Sequence, residues 1–140
     1  MNGEDDLVAK AAEARARAHA PYSNFLVGCA VESNDGRVAV GANMENACYR
    51  LGVCAEQSAL TAAQQAFGLE NVVRIAIVGG HRSDTGGNGA ITPCGGCRQA
   101  IAEAAQLAKS DTQIICCDAA GEDRLHTNIT TLLPNAFTLD

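Results

Sequence analysis

The sequence has no uninterrupted run of about 18 apolar residues, so no stretch reads as a membrane-spanning helix. It is also short of positive charge. Ten Lys and Arg are scattered among 16 Asp and Glu, for a formal net charge of −6. A protein that grips a phosphate backbone gains affinity from grouped cations, so this balance argues against nucleic-acid polymers. A small, neutral or weakly charged ligand fits better. The start, Met1-Asn2-Gly3-Glu4-Asp5-Asp6, lacks the basic residues and apolar run of a secretory leader, and the expected location is cytoplasmic. His19, His81 and His126 have no ligand-like spacing and read as surface residues. No internal repeat, linker or low-complexity run interrupts the chain.

Cysteine, by contrast, is plentiful. Seven is an odd number, and without a secretory leader a disulfide framework gives way to metal or catalytic use. Cys29 lies in an alternating apolar run. Cys116 and Cys117 are adjacent in an expected strand and would point to opposite faces. These three read as small buried hydrophobes.

The 140 residues are 47% apolar and 19% charged, which suits one globular domain over residues 1–140. Glu4 to His19 reads as a helix, with acids at its start, Glu13 and Arg17 spaced for an i,i+4 pair, and Pro21 beyond its end. Asn24 to Glu32 alternates as a strand, with Phe25, Val27, Cys29 and Val31 on one face. Ser33 to Gly36 is a turn, and Arg37 to Ala42 returns as the second arm of a hairpin. Cys54 to Phe67 and Cys94 to Lys109 read as helices. Val72 to Val78 reads as a strand covered on both faces, followed by a glycine-rich loop over residues 79–92. Thr112 to Asp118 is a further strand, and the tail is apolar without a clear period. The order α-β-β-α-β-α-β points to an α/β domain of three layers, a mixed sheet with helices on both faces.

Two short stretches carry the chemistry, Cys54-Ala55-Glu56 and Pro93-Cys94-Gly95-Gly96-Cys97. Cys94 and Cys97 are three apart at a helix start, so both sulfurs can face one point. Cys54 also opens a helix. Helix starts offer free N–H groups and partial positive charge, which favour thiolates. Three thiolates leave a tetrahedral zinc one ligand short, as in sites that keep a position for water. The pattern of a ligand, one residue, Glu, then Pro-Cys-x-x-Cys is the signature of zinc-dependent nucleobase deaminases. A structural zinc clip closed by Cys48, or a redox pair at Cys94 and Cys97, are the alternative uses of these residues. Spacing alone leaves open whether Glu56 faces the metal.

Over nearly its whole length the chain resembles the small, zinc-dependent cytidine deaminases of the homotetrameric type. The resemblance rests on Ala20-Pro21-Tyr22-Ser23-Asn24-Phe25 with Val27-Gly28, on Asn43-Met44-Glu45-Asn46-Ala47, on the two cysteine stretches with Arg98-Gln99, and on Leu132-Leu133-Pro134-Asn135-Ala136-Phe137. It implies hydrolytic deamination of cytidine and 2'-deoxycytidine, a step of pyrimidine salvage. One zinc ion per chain is held by Cys54, Cys94 and Cys97, and the water in its fourth position acts as hydroxide. The resemblance makes Glu56 the proton shuttle between that water, N3 of the base and the leaving ammonia. Asn43 and Glu45 resemble the pair that holds the ribose hydroxyls, and Phe25 would pack near sugar and base. Ala55 falls at a substrate-contact position. Ala47, Tyr49 and Phe137 match positions where neighbouring subunits of a homotetramer complete each pocket.

One departure stands out. Where three cysteines bind the metal, the family usually places Arg after the catalytic Glu, bonded to the ligand sulfurs. Here that residue is Gln57. Arg50 and Arg98 are the expected cations to offset the thiolate charge. Deamination of a modified cytosine nucleoside, with the 79–92 loop reshaping the pocket, and a non-catalytic zinc module are the alternative functions.

Overall fold

The computed structural model describes residues 3–139. Helix α1 (Glu4–Arg15) ends well before the expected His19. The backbone must open there, because His19 N–H donates to Asn43 O at 3.0 Å and Glu45 N–H donates to His19 O at 2.8 Å. Pro21 also biases Ala20 away from helical geometry. The early end of α1 therefore stitches residues 19–23 to residues 43–45.

Strands β1 (Phe25–Ser33) and β2 (Val38–Ala42) form the expected hairpin, with Ala30 opposite Val40. β3 (Val72–His81) pairs antiparallel with β1. It runs three residues past the expected Val78, because Gly79, Gly80 and His81 remain paired with Val27, Leu26 and Phe25. A Cβ on Gly79 would lie 2.4 Å from Ile91 Cδ1, so a bare backbone lets the following loop fold across the strand end. β4 (Gln113–Cys117) lies parallel to β3.

The tail adds two elements that its composition did not signal: β5 (Leu125–Asn128) and a single helical turn, α4 (Ile129–Leu132). β5 is an edge strand with no buried residue, so no apolar period marks it. Asn128 caps α4, its Oδ1 accepting from Thr131 N–H at 3.0 Å. The sheet order is β2-β1-β3-β4-β5, mixed as expected.

Helices α2 (Ala55–Ala66) and α3 (Gly95–Ala108) begin one residue later and end one residue earlier than expected. The flanking residues are their caps, and Lys109 closes α3 in the left-handed region at φ 53°. Both helices cover one face of the sheet, burying Ala59, Ala63, Ile101 and Ala104 against Val31, Ile75, Ile77 and Ile114. α1 covers the other face, where Leu7, Val8 and Ala11 meet Ala30, Ala76, Val78 and Ile115. That gives the expected three layers. α1 presses closely on β1, since a Cβ on Gly28 would fall 1.9 Å from Ala11 O.

Cys116 and Cys117 do face opposite cores, and Cys29 is buried. Burial pushes the Cys116 thiol up to about 12 and that of Cys117 up to about 11. They serve as packing. At the end of α1, Arg15 donates to the carbonyls of Leu26 (3.0 Å), Gly80 (2.9 Å) and His81 (3.0 Å), which ties down the mouth of β1 and β3.

Candidate active site

The loop after β3 passes the end of β4, where Ile91 N–H donates to Cys117 O at 3.2 Å, and delivers the start of α3. Cys94 is the N-cap of α3 and Cys97 lies in its first turn, while Cys54 is the N-cap of α2. The three sulfurs lie within 4.8 Å of one another. All seven cysteines are free thiols, so Cys94 and Cys97 are not a disulfide. Cys48 is exposed at the entrance to the turn Tyr49–Leu51 and takes no part in the group, which removes the expected means of closing it.

A helix start lowers the pKa of one thiol only. N–H groups of Cys97 and Gly96 hold Cys94 below the usual thiol range. Burial pushes Cys54 and Cys97 up instead, with the charges of neighbouring thiols and Glu56 adding to the effect. Glu56 is 5% exposed, and burial raises its carboxyl too, although the Cys97 thiol hydrogen-bonds to it. Its side chain therefore faces the cysteines, which spacing had left open. Crowded, desolvated groups of this kind are what a divalent cation relieves, since thiolate ligands must lose their protons to bind it. Three sulfurs with no fourth ligand among the described residues suit zinc in an open site.

Gln57 supplies a hydrogen bond to the sulfurs, though not the positive charge that Arg would bring. Its Nε2 donates to Cys97 Sγ at 3.6 Å. Neither expected cation reaches the sulfurs by hydrogen bond. Arg98 donates to Pro93 O (2.8 Å), Leu132 O (2.9 Å) and Thr92 Oγ1 (3.4 Å), bracing the Cys94 loop against the tail. Arg50 sits exposed in the Tyr49–Leu51 turn.

A second polar group lies on the segment that leaves β2. Asn43 Oδ1 accepts from Val27 N–H at 2.9 Å, and its Nδ2 donates to Phe25 O at 2.8 Å. One amide thus clamps the backbone on both sides of Leu26. Glu45 Oε1 accepts from the N–H groups of Tyr22 (3.0 Å) and Ser23 (3.1 Å), and Oε2 accepts from Ser23 Oγ at 2.5 Å. The Ser23 hydroxyl is the main reason that the Glu45 carboxyl sits below the usual range; desolvation opposes it, and those N–H groups add to the lowering. A hollow of about 230 Å³ lies against Glu45, lined by Tyr22, Asn46, Tyr49 and Gly52.

The other expected contacts divide by exposure. Phe25 is 41%, Tyr49 80% and Phe137 68% exposed, unusual for aromatic side chains with nothing beyond them to cover. Ala47 is exposed as well. Ala55, the first residue of α2, is fully buried and packs in the core. Ser23 and Arg98 were missed as supporting residues. Both lie inside the stretches of resemblance, but no spacing rule marks a hydrogen bond to a partner so far along the chain.

Residues 1–110 match the family model for the cytidine and deoxycytidylate deaminase zinc-binding region. The chain is 42% identical to a cytidine deaminase of Halalkalibacterium halodurans, over 96% of this chain and 93% of that one. It is 37% identical to a cytidine deaminase of Mycobacterium tuberculosis, over 96% of this chain and 89% of the other. The crystal structure of cytidine deaminase from Burkholderia pseudomallei superposes with a TM-score of 0.83 at 39% identity, covering 97% of this chain and all of that one. With that family model matched over residues 1–110 and relatives of 37% and 42% identity along nearly the whole chain, the chain belongs to the cytidine and deoxycytidylate deaminase zinc-binding family.

Proposed function

We propose that this protein hydrolyses cytidine and 2'-deoxycytidine to the uridine nucleosides and ammonia, with one zinc ion held by Cys54, Cys94 and Cys97. The observation that carries the reading is a buried carboxylate, Glu56, beside three thiols with no fourth ligand among the described residues. Zinc bound there would supply a Lewis acid that makes water nucleophilic near neutral pH. Glu56 takes the proton from that water as its oxygen adds to C4, and gives it to N3 of the base. A second proton passes through Glu56 to the amino group. The C4–N bond then breaks, ammonia leaves and a C4 carbonyl remains. Burial keeps bulk water from competing for these protons. A closed zinc module is disfavoured because Cys48 lies outside the group.

The sugar rests on Asn43 and Glu45. Three of about four acceptor positions on the Glu45 carboxylate are already used within the chain, as is one of the two N–H groups of the Asn43 amide. What remains is one acceptor on each residue and one Asn43 donor, enough to meet a sugar hydroxyl that both gives and takes a hydrogen bond. Ribose and deoxyribose both offer one. Phe25 packs beside sugar and base. The exposed Tyr49 and Phe137, with Ala47, complete the pocket of a neighbouring subunit in a homotetramer. The protein works in the cytoplasm, in pyrimidine salvage.

The test is an ultraviolet assay of the purified protein on cytidine, 2'-deoxycytidine and cytosine, with light scattering on the same sample. Both nucleosides should turn over, and cytosine at least about a hundredfold more slowly, because the contacts that orient the base through its sugar go unused. The scattering mass should be a multiple of 14.4 kDa. Equal turnover of cytosine and cytidine would remove the nucleoside reading, and a fully active monomer would remove the shared pocket.

A further inference from the structure

Ser23 is exposed, short and outside the expected set of substrate contacts, yet its hydroxyl joins two parts of the sugar end. Oγ accepts from Phe25 N–H at 3.0 Å and donates to Glu45 Oε2 at 2.5 Å. Its own N–H, with that of Tyr22, occupies Glu45 Oε1. The backbone bonds hold one carboxylate oxygen, and only the hydroxyl holds the other. A carboxylate pinned at Oε1 alone can still swing about its terminal torsion, which is broad and roughly two-fold. Fixing Oε2 removes that freedom.

From this arrangement we infer that Ser23 is a positioning residue, which orients the Glu45 carboxylate and couples it to Phe25 so that one acceptor site faces the sugar hydroxyl. The inference rests on the proposed role of Glu45 in holding the sugar. With the hydroxyl present, Oε2 offers its single open acceptor in a fixed direction. Without it, that oxygen gains a second open acceptor, loses its direction, and is free to bind water. The penalty then falls on substrates whose hydroxyl must meet it. Charge-assisted hydrogen bonds are the stronger class, and small errors of placement are magnified in the rate.

The experiment compares kcat/KM on cytidine and on 2',3'-dideoxycytidine, which keeps the base, the ring and the 5'-hydroxyl but lacks the ring hydroxyls that Glu45 would hold, for the intact protein, Ser23→Ala, Ser23→Thr and Glu45→Ala. Ser23→Ala should lose on the order of tenfold on cytidine and much less on the dideoxy substrate. The loss should sit largely in KM, and Ser23→Thr, which keeps the hydroxyl, should restore most of it. A merely structural role would lower both substrates together. If Glu45→Ala is selective for cytidine and Ser23→Ala is not, or if Ser23→Thr is as poor as Ser23→Ala, the role of Ser23 falls while that of Glu45 stands. If Glu45→Ala lowers both substrates equally, the reading of Glu45 fails and the inference goes with it.

Discussion

At the cysteine end of the site, side chains converge from two helix starts, with Cys97 and Glu56 buried, Cys54 half-buried and Cys94 at the surface. Cys97 and Glu56 are nearly inaccessible, and most of what surrounds them is apolar core. At the Asn43–Glu45 end, the polar groups are held by main-chain bonds from residues 22–27, whose first four residues are exposed, and by the Ser23 hydroxyl. The first end depends on desolvation, where a missing partner leaves a charge with nothing to stabilise it. The second depends on a set of ordinary hydrogen bonds, each replaceable in part by water. Damage should therefore be all-or-none at one end and graded at the other.

The largest effect belongs to the buried end. Cys97→Ser should lose metal and activity together, since one of three thiolates goes. Glu56→Gln should keep zinc and fold while lowering kcat by at least about 10²–10⁴-fold, because only proton transfer is removed. Metal analysis beside steady-state rates checks both. Retention of more than about a tenth of the rate in Glu56→Gln would take the shuttle away from this residue.

A smaller effect lies one residue further along the helix. Gln57→Ala removes the N–H that reaches Cys97 Sγ and should weaken zinc by about 10–100-fold in competition with a chelator. It would blur the contrast between the two ends, giving a graded loss at the buried one. An unchanged zinc affinity would mean that the contact at 3.6 Å does no work on the metal.

The smallest effect is at the exposed end and depends on pH. The Ser23 hydroxyl holds the Glu45 carboxyl below the usual carboxylate range. A lowered folded value means that the charged form contributes stability above the unfolded value, and that the contribution fades as pH falls through the folded one. Glu45→Gln should therefore have a slightly lower urea midpoint than the intact protein near neutrality, and the gap should close in acid. A gap that widened in acid would reverse the assigned direction.

Much of this was legible from local rules. Cys54, Cys94 and Cys97 could be placed because a helix start fixes where residues three apart point, whatever the rest of the chain does. The alternation of β1 and the opposed Cys116 and Cys117 followed from a two-residue period. What could not be read depends on distant partners. The end of α1 is set by a backbone exchange between His19 and residues 43 and 45. The last residues of β3 are held by pairing with β1 through glycines that elsewhere mark loops. The direction of Glu56 needed the packing of two helices, and the part played by Arg98 needed the position of the tail. Gln57 is the instructive residue. It departs from the family habit at its own position, yet the bond it was missed for is present.

The edge-to-face pair at the mouth of the hollow has an optical consequence. Tyr22 and Tyr49 are the only tyrosines, and the chain has no tryptophan. Their ring centroids are 5.9 Å apart at an interplanar angle of 68°, and Tyr22 gives its backbone N–H to Glu45. No indole is present to collect their excitation, so the phenol emission of the whole molecule originates beside Glu45 and its hollow. Quenching or anisotropy of that emission would register a nucleoside entering, or a neighbouring subunit closing over Tyr49, without any label attached to the protein.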